Sequence, residues 1–210
     1  HISLALSKQP KSLEAWAHRK WVLHTLERLC AEPVDVMREV KLCDYSINAH
    51  KRNYYAWSHR LYTLQHWIAN KSGNEPARLK EELSRTWTWL TLHIADASAA
   101  HHCEIALRRA LESNMTLLHQ ETHQDGELNF SSLMAASTKY LELYNAGETW
   151  WSMRRSLLSV AIYLTNSAGQ DRLRKLLECE ITFCASQRAS ETQELLPLRH
   201  LVWIAHYLRL

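Results

Sequence analysis

EAWAHRKWVL, residues 14–23, and YAWSHRLYTL, residues 55–64, share one frame: Ala, Trp, a small residue, His, Arg. Trp16 and Trp57 stand 41 residues apart, and each is followed by the same x-His-Arg. A chain that places large aromatics twice in one frame is repeating a structural unit, and a period in the low forties suits two helices and two turns. A third copy is eroded: in DASAAHHCEIALRRAL, residues 96–111, Ala100, His102 and Cys103 take the places of Trp, His and Arg. A fourth, ETWWSMRRSLL, carries Trp151, Met153 and Arg154 in register. The stretch LVWIAHYL around Trp203 is read as a fifth.

Working outward from the motif, Trp16, Arg19, Lys20 and Leu23 fall at i, i+3, i+4 and i+7, so Trp and Arg project from one helical face. Between motifs, ARLKEELSRTWTWLTLHIA supplies a partner helix with Leu79, Leu83, Trp87 and Leu90 at three- and four-residue intervals. Four Gly and four Pro in 210 residues leave few turn-formers for hairpins of strands. The fold expected is all-α, a right-handed α-α superhelix: one solenoid of helical hairpins over residues 1–210, with about four or five repeats. Second helices of the hairpins are expected to start near Ser12, Asn53, Ser98 and Glu148. The opening HISLALSKQP reads like the second half of a helix, so an N-terminal part of the native chain is expected to be missing.

In this fold the repeated Trp fills the space between successive hairpins, burying roughly 150–250 Å². An Arg one turn on bonds across to carbonyl or carboxylate groups of the neighbouring hairpin. Trp16, His18, Arg19, Trp57, His59, Arg60, Trp151 and Arg154 are therefore structural motif residues.

Composition narrows the function. Hydrophobic residues make up 46% of the chain and charged residues 22%, which is globular. The net charge of +3 is too small to imply a nucleic-acid or anionic-membrane partner. No apolar run approaches the roughly 18 residues that cross a bilayer. Cys30, Cys43, Cys103, Cys179 and Cys184 include no CxxC pair, so the reading is a reduced, cytoplasmic chain without a thiol redox or zinc motif. His101, His102 and Cys103 are consecutive on a helix and diverge by about 100° per residue. His119 and His123 share a face, but HQETH is not a zincin pattern, and a polar helix end before Gln124-Asp125-Gly126 is expected there. No metal site is assigned, nor any nucleophile elbow, phosphate loop or triad.

Chemistry enters just upstream of each Trp, in PKSLEAW and KRNYYAW. Ser12 and Asn53 are N-cap types, placing Lys11 and Arg52 beside free backbone N–H groups at the positive ends of two helix dipoles. Neighbouring helices lie roughly 8–10 Å apart. Two such mouths on one edge are suited to share a diphosphate.

A Trp-x-His-Arg motif preceded by such residues at this interval resembles the protein prenyltransferase α-subunit repeat family, and PKSLEAWAHRKWVL, NYYAWSHRLYTLQHW and ETWWSMRRSLL together resemble the α-like subunits of the type III geranylgeranyltransferase kind. The resemblance implies a crescent wrapped around a separate β subunit, of the Rab geranylgeranyltransferase type, that holds the catalytic zinc and geranylgeranyl diphosphate; this chain itself holds no cofactor. It implies an enzyme subunit, inactive alone, that helps transfer a geranylgeranyl group to a protein cysteine thiol. Carried over by residue, Lys11 matches a diphosphate-contacting lysine and Tyr54 a tyrosine of the next repeat, while Tyr55 stands where the family has histidine. The implied catalytic set is thus Lys11, Tyr54 and Tyr55, with Lys11 and Arg52 binding diphosphate. Leu13 departs from a common family Tyr. Glu14 replaces a Gln that in relatives reading a CaaX tail lies near the substrate's carboxylate. A carboxylate there repels a free C-terminus held close by, which argues against a simple CaaX tail. The resemblance implies a protein substrate with a C-terminal cysteine, in a protein that already bears one prenyl group, such as a SNARE. The alternative is a non-catalytic helical-repeat adaptor that only scaffolds protein partners; the 41-residue spacing does not fit the 34-residue tetratricopeptide.

Overall fold

The computed structural model describes residues 2–29, 35–65, 75–112, 130–144, 147–166, 170–187 and 195–208. Among these every regular element is an α-helix: α1 (Ile2–Lys8), α2 (Leu13–Leu29), α3 (Val36–Ala49), α4 (Tyr54–Thr63), α5 (Glu75–Leu92), α6 (Ala97–Glu112), α7 (Phe130–Tyr144), α8 (Glu148–Asn166), α9 (Gln170–Gln187) and α10 (Leu195–Leu208). The expected all-α fold of helical hairpins is what the described residues build. Short connections such as residues 50–53 leave consecutive helices no route but to lie back to back, and α1 packs on α2, α3 on α4, α7 on α8 and α9 on α10. Second helices then pack on second helices, α2 on α4 and α8 on α10. His119, His123 and the 124–126 turn lie outside the described residues, as does Cys30.

The chain divides into two compact units, His1–Trp89 with Asp96–Cys103, and Leu90–Ala95 with Glu104–Leu210. In the first, Trp16, Leu23, Val40, Cys43, Ile47, Ala56 and Trp57 form the buried interior. In the second, α8 is the central element: Trp150, Trp151, Met153, Leu157, Leu158, Val160, Ala161 and Ile162 are all buried on it.

Capping residues fix the register. Ser12 Oγ accepts the Ala15 N–H at 3.2 Å, and Asn53 Oδ1 accepts the Ala56 N–H at 3.2 Å. α6 begins at Ala97, near Ser98 as expected, and its cap is Asp96, whose Oδ1 accepts the Ser98 and Ala99 N–H groups at 3.1 Å. Asp96 is the better cap because its carboxylate serves two orphan donors and meets the helix dipole favourably. In each hairpin the cap then precedes the Trp place by the same interval: Ser12 and Trp16, Asn53 and Trp57, Asp96 and Ala100.

Candidate functional site

The motif residues build three copies of one buried assembly. Arg19 donates from Nε and Nη2 to the two carboxylate oxygens of Glu39, each at 2.6 Å, and Nε2 of His59 stands 3.2 Å from the same carboxylate. Arg60 grips Glu82 at 2.5 and 2.6 Å, with His102 at 2.6 Å. Arg154 grips Glu180 at 2.7 Å through both nitrogens, with His200 at 2.8 Å. The ring of each histidine also lies against the Trp of the preceding motif: Trp16–His59 and Trp57–His102 at 5.0 Å, Trp151–His200 at 5.1 Å. Trp and Arg of one hairpin therefore hold Glu of the next first helix and His of the next second helix.

The bidentate fork of arginine matches a carboxylate, and the remaining donors are used too. Arg60 Nη1 reaches Asp44 at 2.7 Å, and Arg154 Nη1 reaches Ser137 and Thr138. Burial would raise the Glu82 carboxyl, but hydrogen bonds from His102 and Arg60 outweigh it and hold the group at about 2. Glu39 and Glu180 are held below the ordinary carboxylate range by the same balance.

Erosion of the motif follows this stagger. The third copy keeps His102, which faces back, and loses the forward-facing Trp and Arg to Ala100 and Cys103; the fourth keeps Trp151 and Arg154 and has Met153 in the His place. The fifth copy is real but shifted from the expected register: His200 is the motif histidine, with Leu198 and Leu201 at the Trp and Arg places, and Trp203 stacks on His200 at 5.9 Å. His18 joins no such assembly; it is exposed and stacks on Trp21 at 5.6 Å.

Glu180, Cys184 and His200 bring three ligand-type atoms within 4.8 Å of one another. They do not fit a metal: Arg154 already occupies the Glu180 carboxylate, and burial pushes the Cys184 thiol up to about 12, far from the thiolate a metal needs.

The upstream residues lie on one edge of the first unit. Lys11 is exposed in the turn between α1 and α2; Arg52 is exposed before α4; Tyr54 is exposed at its first residue, and Tyr55 is half-buried with its ring 5.6 Å from that of Tyr54. Two buried donors hold the Lys11 turn by one atom. Nδ2 of Asn53 and the indole Nε1 of Trp16 both donate to the Pro10 carbonyl oxygen at 2.8 Å. The Lys11 turn is thereby tied to the mouth of α4. Arg52 has φ 56°, an uncommon left-handed conformation for a residue with a side chain. Its N–H donates to Asp96 Oδ2 at 3.2 Å, which the Trp89 indole also meets at 3.0 Å. Exposed Lys8, Lys11, Lys51 and Arg52 make this edge basic. Glu14 is the exposed acid beside it, kept ionised by its own backbone N–H and the Ser12 hydroxyl.

Residues 36–67, which include Glu39, Trp57, His59 and Arg60, match the model of the protein prenyltransferase alpha subunit repeat. The chain is similar over most of its length to protein prenyltransferase alpha subunit repeat-containing protein 1, at 27% identity to the protein of Danio rerio (72% of this chain, 44% of that protein) and 26% to that of Homo sapiens (77% and 50%). It is also 32% identical over 101 residues, 48% of this chain, to 16% of the geranylgeranyl transferase type-2 subunit alpha of Rattus norvegicus. The chain spans about half the length of the repeat-containing relatives it matches. No helix among the described residues is long and apolar enough to cross a membrane.

Proposed function

We propose that the chain acts as the α-like subunit of a heterodimeric protein geranylgeranyltransferase of the type III kind, working in the cytoplasm around a β subunit of the Rab geranylgeranyltransferase type. Similarity to a type-2 α subunit supports that choice of partner. In the assembly the β subunit would hold zinc and geranylgeranyl diphosphate, the metal supplying a thiolate from the substrate's C-terminal cysteine. This chain's share is its basic edge. The observation that carries the reading is the tie from Asn53 to the Pro10 carbonyl, which joins the Lys11 turn to the segment bearing Arg52, Tyr54 and Tyr55. A cation there stabilises a departing diphosphate most as charge builds on it, so Lys11 accelerates transfer more than it tightens binding. Arg52 gives a second charge, and the tyrosine hydroxyls give neutral donors. Glu14 disfavours a free C-terminal carboxylate nearby and so speaks against a simple CaaX tail; the substrate proposed, from the family resemblance, is a SNARE that already bears one prenyl group.

The test is Lys11→Ala in the reconstituted heterodimer. Single-turnover transfer should fall roughly 10- to 100-fold, equivalent to about 1.4–2.8 kcal/mol, with binding to β unchanged. Lys11→Arg should recover part of the loss, and Tyr54→Phe and Tyr55→Phe should each give smaller defects. Transfer at the wild-type rate by a β-bound Lys11→Ala chain would leave the scaffold role alone standing.

A further inference from the structure

Asn53 does two separable jobs with the two ends of one amide. Its oxygen caps α4 by accepting the Ala56 N–H, and its nitrogen reaches out of the hairpin to the Pro10 carbonyl, the peptide group that enters Lys11. The side chain is fully buried, so the nitrogen has no water to turn to. The Trp16 indole shares the same carbonyl, giving it two donors for its two lone pairs. The device recurs one hairpin on: Asp96 caps α6 with one oxygen while the other takes the N–H of Arg52 and the Trp89 indole. In both cases the cap of one hairpin fixes the backbone of the loop that carries the preceding hairpin's cation.

We infer that Asn53 is a positioning residue for Lys11: by holding the Pro10 carbonyl it sets where the lysine stands against a bound diphosphate. The inference rests on the anion-site reading above. Helix capping alone does not require an amide, since Ser12 caps α2 with a hydroxyl. An amide is required only if a second atom must reach the Pro10 turn.

Asn53→Ser separates the two jobs, because serine keeps a good, uncharged cap and lacks the reaching nitrogen. The full chain is titrated with inorganic pyrophosphate by NMR, and exchange of the Ser12 amide, which the same turn holds on the Gln9 carbonyl at 3.0 Å, reports the order of the loop. Asn53→Ser should weaken pyrophosphate binding about three- to tenfold, the effect of one lost hydrogen bond, and should speed Ser12 exchange. In a Lys11→Ala background the same substitution should weaken binding no further, which a purely structural role would not produce. Trp16→Phe, which keeps a ring against His59 and removes the other donor, should act in the same direction and serves if Asn53→Ser does not fold. Unchanged binding and unchanged Ser12 exchange in a folded Asn53→Ser chain overturn the inference. So does an undiminished effect in the Lys11→Ala background. If wild type and Lys11→Ala treat pyrophosphate alike, the anion-site reading fails, and Ser12 exchange still decides whether Asn53 holds the turn.

Discussion

Arg60 is 1% exposed, and every nitrogen of its guanidinium faces an acceptor. A buried ion pair of this kind adds little over apolar packing when intact, yet losing one partner leaves a charge stranded, at a cost of about 3–5 kcal/mol. Arg60→Ala should show that loss in a denaturant titration. The paired glutamate makes an acid prediction. The Glu82 carboxyl lies at about 2 in the folded chain against an ordinary 4.5, so the unfolded chain binds the proton more readily. Its stabilisation is complete above about 4.5 and is lost as pH falls from there toward 2; Glu82→Gln should be less stable at neutral pH and should lose less over that acid window. At this scale the sequence was only half legible. That each motif Arg would find a carboxylate follows from its placement at a hairpin seam. Which carboxylates was written in the chain too, because Glu39, Glu82 and Glu180 each precede their histidine by 20 residues. A search for repeated Trp alone passes over that second period. The tie that organises the Lys11 turn could not be read at all, because its acceptor is a backbone carbonyl, and every residue has one.

At the scale of the helix, the repeated Trp is the seam filler. Trp57 is 5% exposed and touches both the Trp89 and His102 rings, so Trp57→Ala should cost about 3–5 kcal/mol in equilibrium unfolding. Where the motif has eroded, restoring it should not help. Ala100 is buried, with fully buried Ala99 beside it, and Ala100→Trp should destabilise by about 1–3 kcal/mol through overpacking. Helix existence and pairing were legible from apolar periodicity, and the caps at Ser12 and Asn53 from residue type. The starts of the eroded copies were harder to read. Asp96 and Ser98 are both good cap residues two positions apart, and the hydrogen bonds, not composition, choose between them. Around Trp203 the most conspicuous side chain was not the one in register, because the seam at the fifth copy needs only the histidine that faces back.

For the molecule as a whole, the proposed partner carries a thermodynamic consequence. Trp21, Tyr45 and Tyr54 expose more than half of their surface in the first unit, and Tyr163 and Val202 do so in the second. A β subunit that binds only the folded chain raises its apparent stability by mass action, about 2.7 kcal/mol at a hundredfold excess over Kd. Thermal unfolding of the chain should therefore shift upward with added type-2 β subunit in a concentration-dependent way; a melting curve indifferent to that subunit would point to a scaffold for other proteins. The forward-and-back stagger of the buried assemblies also says where such a chain can be cut. The hairpin is the unit that evolution counts by period, but the unit that holds itself together runs from the Trp of one hairpin to the His of the next, as from Trp16 to His59 or from Trp151 to His200. A truncation or graft placed at a hairpin loop, the obvious seam to an engineer, severs a carboxylate from its arginine. The buried pairs Arg19–Glu39, Arg60–Glu82 and Arg154–Glu180 each straddle such a loop, so a cut that spares all three must fall outside residues 19–39, 60–82 and 154–180.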